Sequence, residues 1–199
     1  MRLEAQAIKM ALAGLNYEIE LTGIGAKRLP DLKGRKNSCL IMAGLCGALD
    51  PALKIGDLLL DSESEFQIAN LKSFHSAKLH TADHVISTID EKAGLFRSTG
   101  AAAVDMENAI VRNAARNAGL PFIGIRAVSD TADQALDPAV LKLCDEIGRP
   151  KPLAAMSLII RRPAIISKLR QLQSQSQIAS AALGRGVRFL VEALASPNK

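Results

Sequence analysis

The sequence predicts an α/β fold built on a mostly parallel sheet covered on both faces. Three observations point there. Short apolar runs at 38–43, 101–106 and 121–128 show no polar alternation, as strands buried on both sides do. A helical stretch from Glu107 to about Asn117 lies between the last two, with Gly119 placed to cap it. Strand, helix and strand at that spacing make a βαβ unit.

The elements follow in order. Residues 3–13 read as a helix ended near Gly14. Tyr17 to Leu21 alternates apolar and acidic residues, which predicts a strand running into Thr22-Gly23-Ile24-Gly25. Ser38 to Ala43 is a buried strand expected to enter a tight turn at Gly44-Leu45-Cys46-Gly47. Lys54 to Asp61 is strand-like through Ile55, Leu58, Leu59 and Leu60. After Gly148-Arg149-Pro150 the texture changes. Pro152, Arg161, Arg162 and Pro163 punctuate helical segments in which Leu153, Met156, Leu158, Ile159, Ile165, Ile166, Leu169 and Leu172 alternate with basic residues. A polar Gln/Ser interlude at Gln171 to Gln177 precedes a last amphipathic helix, about Gly186 to Leu194. This divides the chain into an α/β domain over 1–148 and a basic helical tail over 149–199, with no internal repeat.

Composition narrows the function. The 199 residues are 48% hydrophobic and 23% charged, enough for one sizeable core in one or at most two domains. No apolar run reaches the ~18 residues of a transmembrane helix, and an acid stands in the first residues where a secretory signal would be apolar. Cys39, Cys46 and Cys144 are odd in number and too widely spaced for a zinc motif, so a reduced, cytoplasmic compartment is expected. With no Trp, one Tyr and five Phe, stacking platforms for nucleic acid are scarce. The net charge of +5 is uneven: 1–148 holds 16 Lys/Arg against 19 Asp/Glu, and 149–199 holds 9 against 1. The basicity belongs to the tail, as in a nucleic-acid-binding protein, a membrane-surface anchor or a solvated basic face on helices that finish the fold.

Two acids stand at carboxyl ends of predicted strands, where open α/β sheets bind ligands. Glu107 opens a helix, where the dipole favours its charged form, and a carboxylate there accepts hydrogen bonds from paired hydroxyls such as a ribose diol. Asp130 follows Arg126-Ala127-Val128-Ser129, and in a closed pocket such an acid holds a proton for a leaving purine. Taken alone, each acid is equally well a helix start or a cap. The glycines Gly23 and Gly25 either form a plain turn or bring backbone N–H groups to a phosphate or sugar. His75, His80 and His84 lack a metal-binding spacing, and Ser129 lacks the surroundings of a serine nucleophile.

At Ala103-Val104-Asp105-Met106-Glu107-Asn108, at Arg126-Ala127-Val128-Ser129-Asp130-Thr131-Ala132-Asp133 and at Gly44-Leu45-Cys46-Gly47-Ala48-Leu49-Asp50-Pro51, followed by Leu53-Lys54-Ile55-Gly56-Asp57, the chain resembles the nucleoside phosphorylase and methylthioadenosine/S-adenosylhomocysteine nucleosidase superfamily. The resemblance implies one three-layer phosphorylase-like domain with a mixed, mostly parallel sheet. It implies cleavage of an N-glycosidic bond, with Asp130 protonating the departing purine and Glu107 holding the ribose hydroxyls while Met106 packs on the sugar. Val85 and Ile86 would line the base, Ser129 and Gly47 would adjoin it, Glu4 would activate water, and Gly23 and Gly25 would lie near the nucleophile or phosphate. No metal or cofactor is implied, only inorganic phosphate as a potential co-substrate, and a homodimer or higher assembly. The family opens with a strand and glycine turn ahead of its early acid; this chain starts Met1-Arg2-Leu3-Glu4, so either the true start lies upstream or the first strand is missing. Asp145-Glu146-Ile147-Gly148-Arg149-Pro150, the basic Arg161-Arg162-Pro163 and the apolar Leu45 resemble the hopanoid-associated phosphorylase branch, which implies adenosylhopane as substrate and work at the inner face of a membrane. The other enzymatic expectation is a methylthioadenosine/S-adenosylhomocysteine nucleosidase; the remaining one is a non-catalytic copy that binds nucleosides or membranes.

Overall fold

The computed structural model describes residues 2–35, 38–62, 73–141, 143 and 152–195. The strands are β1 (Leu40–Ala48), β2 (Leu58–Ser62), β3 (Phe74–Ser76), β4 (Leu79–Thr81), β5 (Ala103–Asp105) and β6 (Phe122–Asp130). The helices are α1 (Arg2–Ala11), α2 (Ile89–Thr99), α3 (Asn108–Asn117), α4 (Pro138–Leu141), α5 (Pro152–Arg161) and α6 (Ile165–Ala195). One sheet runs β3-β2-β6-β1-β5-β4. Three of its five pairs are parallel, β1/β6, β2/β3 and β4/β5, so the sheet is mixed.

β6 is central because all its residues but Ser129 are buried, with apolar side chains toward both layers and Arg126 paired with Asp105. Ile123, Ile125 and Ala127 face α1 and α6, packing with Ile8, Leu12, Leu183, Val187 and Leu190. On the opposite face Phe122 meets Val111 and Ala115 of α3. β1 alternates in the same way, Ile41, Ala43 and Leu45 toward the first layer and Leu40 and Met42 toward α3. The result is helix, sheet and helix in three layers, the arrangement that hides both faces of an apolar sheet.

Several expectations need correction. The elements expected at 101–128 form, yet not as a parallel βαβ unit. β5 is antiparallel to β1, and β1 is parallel to β6, so β5 and β6 run in opposite directions with β1 between them. The glycine turn expected at Gly44 to Gly47 is instead the second half of β1, paired with β6; at Gly47 a side chain would collide with Asp130, whereas Gly44 has room for an ordinary contact. A Cβ on Gly44 would lie 3.5 Å from the Arg126 guanidinium, and one on Gly47 would lie 2.8 Å from Asp130 Oδ2. Tyr17 to Leu21 forms no strand. Ile19 packs on the core, but Glu18 and Glu20 turn to Arg35, at 3.0 and 2.7 Å, and no neighbouring strand offers a ladder. The Gln/Ser interlude does not interrupt α6, which is continuous for 31 residues. Neither Gly nor Pro occurs in that interlude, and Gln175 pairs its amide with Gln134, each donating to the other at 3.0 Å.

Composition sets the C-terminal segment apart; packing does not. Ala179, Leu183, Val187 and Leu190 of α6 belong to the same core as β6. Gly184 lets α6 approach α1, where a Cβ would sit 2.9 Å from the Ala7 carbonyl oxygen, and Gly186 leaves room for Leu58 and Ile125. The 148/149 boundary, the Asp145 to Pro150 motif and Cys144 lie outside the described residues.

Candidate active site

Asp130 ends β6. The register between β1 and β6 shifts after Cys46, so that Gly47 rather than a larger residue stands opposite it. Its carboxyl is held at both oxygens. Oδ2 accepts from Lys92 Nζ at 2.6 Å, and Oδ1 accepts from Ser129 Oγ at 3.0 Å. The Ser129 hydroxyl also lies 3.1 Å from the Cys46 carbonyl oxygen, and with one proton it serves one of the two at a time.

Glu107 stands just before the first residue of α3, and its own side chain does not cap the helix. Asp105 does that work: its Oδ2 accepts from the Asn108 N–H at 2.7 Å. The same oxygen takes Arg126 Nε at 3.0 Å and Nη2 at 2.6 Å, and Oδ1 takes the Thr81 hydroxyl at 2.8 Å. Arg126 donates further to the Met42 carbonyl at 2.9 Å. Both side chains of this pair are fully buried. A buried pair survives only with its remaining donors and acceptors satisfied, as here, and it locks β4, β5, β6 and α3 together beneath Glu107.

The Glu107 carboxylate meets a backbone donor 82 residues earlier in the chain. Its Oε1 accepts from the Gly25 N–H at 2.8 Å. Gly25 can present that N–H because it holds φ 68°, inside a single 3-10 turn at Ile24–Ala26. The Gly23-Ile24-Gly25 turn thus spends a backbone donor on Glu107 rather than offering it to a phosphate. Burial pushes the Glu107 carboxyl above its ordinary range, against the Gly25 N–H and the Arg126 charge, which lower it. Desolvation here outweighs the helix-start effect expected from the sequence.

Both acids line one cavity of about 930 Å³. Glu4, Gly47, Val85, Ile86, Met106 and Ser129 line it too. Glu4 reaches in from α1, its Oε1 accepting from the Leu45 N–H at 3.2 Å. Ile86 is buried against Leu49 and Val104, whereas Val85 is 39% exposed at the rim. Gly23 and Gly25 are not on the wall; Thr22 and Ile24, beside them, are. From the acidic end the cavity continues along an apolar wall that includes Ile8, Leu12, Ile19, Ile41, Val187 and Leu194. Burial pushes the Cys39 thiol up to about 11 and the Cys46 thiol further, so neither is a thiolate nucleophile near neutral pH. Among the described residues no three His, Cys, Asp or Glu side chains are grouped to hold a metal.

The phosphorylase superfamily model matches residues 67–156. That stretch carries Val85, Ile86, Met106, Glu107, Ser129 and Asp130, and lies outside Glu4, Gly23, Gly25 and Gly47. Among solved structures, the chain is similar to the 5′-methylthioadenosine/S-adenosylhomocysteine nucleosidase of Helicobacter pylori bound to butyl-thio-DADMe-Immucillin-A, with 18% identity, TM-score 0.62, 98% of this chain and 95% of that one covered. A futalosine hydrolase mutant of the same organism gives 18% identity and TM-score 0.58 over 98% and 96%. A putative 5′-methylthioadenosine/S-adenosylhomocysteine nucleosidase of Francisella philomiragia gives 15% identity and TM-score 0.60 over 98% and 95%. At these identities the likeness establishes a phosphorylase-like fold.

Sequence reasoning missed Lys92, Asp105 and Arg126 as parts of the site. A signal for Lys92 existed: it lies three and four residues before Leu95 and Phe96, on the inward side of α2, where a lysine needs an acidic partner.

Proposed function

We propose that the protein cleaves the N-glycosidic bond of a purine nucleoside. The observation that carries this reading is the single cavity shared by Glu107 and Asp130, with Glu4 at its edge. As the C1′–N9 bond lengthens, the sugar gains oxocarbenium character and the base gains electrons. Asp130 hands a proton to the base, which leaves neutral. Glu107 keeps its second oxygen for the ribose hydroxyls and fixes the sugar relative to Asp130. Glu4 takes the proton of the attacking water.

Water is favoured over phosphate by the charge of the wall. Among the described lining residues the one arginine or lysine is Arg35, and both Glu18 and Glu20 already occupy it. The carboxylates of Glu4 and Glu107 would repel a phosphate dianion.

The apolar wall supports a substrate with a long hydrocarbon 5′ substituent, for which adenosylhopane is the proposed case. Methylthioadenosine or S-adenosylhomocysteine is the second reading, favoured by the fold shared with the Helicobacter and Francisella structures. No helix among the described residues is long and apolar enough to cross a membrane. A lipid-linked substrate would instead be met at the bilayer surface. Met156 and Ile160, 62% and 73% exposed, stand beside exposed Arg161 and Arg162, a pairing that suits an anionic interface.

Release of free adenine from methylthioadenosine and from adenosylhopane tests the reading. Asp130→Asn is expected to slow it by at least about 100-fold, the scale of a lost general acid. An unaffected Asp130→Asn enzyme removes Asp130 from the mechanism. Turnover of methylthioadenosine with none of adenosylhopane overturns the lipid-linked substrate.

A further inference from the structure

Lys92 is a buried cation with a single carboxylate partner among the described residues, Asp130. Its side chain is 0% exposed, and that of Asp130 is 9% exposed. Lys92 enters from the start of α2, which is fixed by reciprocal bonds between Thr88 and Glu91: the Thr88 hydroxyl oxygen accepts from the Glu91 N–H and the Glu91 carboxylate accepts from the Thr88 N–H. The lysine therefore projects from a rigid helix start rather than from a loop.

An ammonium has three protons, and Lys92 places all three. One goes to Asp130 Oδ2 at 2.6 Å, one to the Thr131 carbonyl at 2.7 Å and one to the Gln134 carbonyl at 3.0 Å. Two of these bonds anchor the backbone that leaves β6; the third fixes the carboxyl. Lys92 is absent from the cavity wall, whereas Asp130 is on it. Lys92 thus stands behind the acid and does not reach substrate.

The terminal torsion of an aspartate is broad and two-fold, so an untethered carboxyl swings. Here Lys92 and Ser129 hold one oxygen each, and Gly47 gives the carboxyl the space to lie flat against β1. A buried ion pair is weak evidence of stability, because apolar replacements of the pair often cost nothing. A role in orienting the acid accounts for a charge in this place.

Resting on the glycosidic reading above, we propose that Lys92 is a positioning residue that aims the Asp130 carboxyl at the leaving base. In the step it serves, the Ser129 hydroxyl turns to the Cys46 carbonyl and Asp130 carries a proton on Oδ1; that proton passes to a ring nitrogen of the purine, the electrons of the C1′–N9 bond leave with the base, a water oxygen bonds to C1′ and yields its proton to Glu4, and Lys92 keeps its three protons throughout.

The test compares two substrates. Adenine must be protonated to leave; 4-nitrophenolate leaves from a nitrophenyl riboside without a proton. Lys92→Met should lower kcat for methylthioadenosine by about 10- to 100-fold, the scale of a misplaced catalytic group, with KM little changed. Its turnover of nitrophenyl riboside should stay within a few-fold of wild type. Added to Asp130→Asn, Lys92→Met should cost nothing further, since its effect runs through Asp130. That double variant buries no unpaired charge, so the comparison stands even where Lys92→Met alone folds poorly. Equal losses on both substrates, a further loss on top of Asp130→Asn, or an unchanged kcat would each overturn the role of Lys92. A wild type that releases adenine from neither methylthioadenosine nor adenosylhopane overturns the glycosidic reading itself.

Discussion

Gly47→Ala probes the geometry around Asp130 without altering a charge. The added Cβ would lie 2.8 Å from Asp130 Oδ2, 3.4 Å from Oδ1 and 3.5 Å from Cγ. To reach ordinary van der Waals contact the carboxyl must retreat by roughly 0.6 Å from β1. It cannot do so freely, because Lys92 and Ser129 hold it at 2.6 and 3.0 Å. Either the Lys92 bond stretches or the strand pair opens at its register shift. Overpacking of this kind costs about 1–3 kcal/mol of stability. A displacement of that order at a reacting group is expected to lower kcat about 10- to 100-fold. Adenine release under saturating substrate, beside a melting curve, measures both. Gly47→Ala with wild-type kcat would mean that the carboxyl position does not govern the reaction, and the account of the site would fail.

Leu183→Ala, in the core beneath β6, should lower the free energy of unfolding by about 2–5 kcal/mol. A loss under 1 kcal/mol in denaturant melts would show that α6 is peripheral. Glu107, with its carboxyl raised by burial, binds more protons folded than unfolded just above the ordinary carboxylate range, so its contribution to stability falls as pH rises through that window. Glu107→Gln lacks that slope; its stability relative to wild type should improve with rising pH there, and a difference flat across pH contradicts the shift. Arg161→Glu with Arg162→Glu should weaken cosedimentation with phosphatidylserine vesicles, at about 1 kcal/mol for each basic residue near the surface. Vesicle binding equal to wild type would make that face solvated only.

The strands and helices with strong patterning were legible before any coordinates. The strand expected at Pro121 to Val128 becomes β6 from Phe122 on, with Arg126 buried inside it, and the helix expected from Glu107 becomes α3, Asn108–Asn117. What the sequence hid were relations across the chain. No local pattern shows that β5 runs against β1, because direction is set by tertiary pairing. Gly44 and Gly47 read as turn residues since a glycine signals freedom; at Gly47 the reason is the Asp130 carboxyl on the adjacent strand, 2.8 Å from where a Cβ would lie. The alternation at Tyr17 to Leu21 is real, but Arg35 claims its acids and no strand claims its backbone. The charge asymmetry was real as well, yet it concealed that the last helix supplies Leu183 and Leu190 to the core. Glu107 and Asp130 were legible as strand-end acids; Lys92, which supports one, and Gly25, which supports the other, lie 38 and 82 residues away, at distances that no motif spans.

The most direct measurement is a crystal structure of the Asp130→Asn protein with methylthioadenosine bound. The account predicts the ribose hydroxyls on Glu107 and a purine ring nitrogen on residue 130 of the same molecule, each at about 2.6–3.2 Å. A nucleoside that touches Glu107 while its base points away from residue 130, or that binds outside the shared cavity, would contradict it.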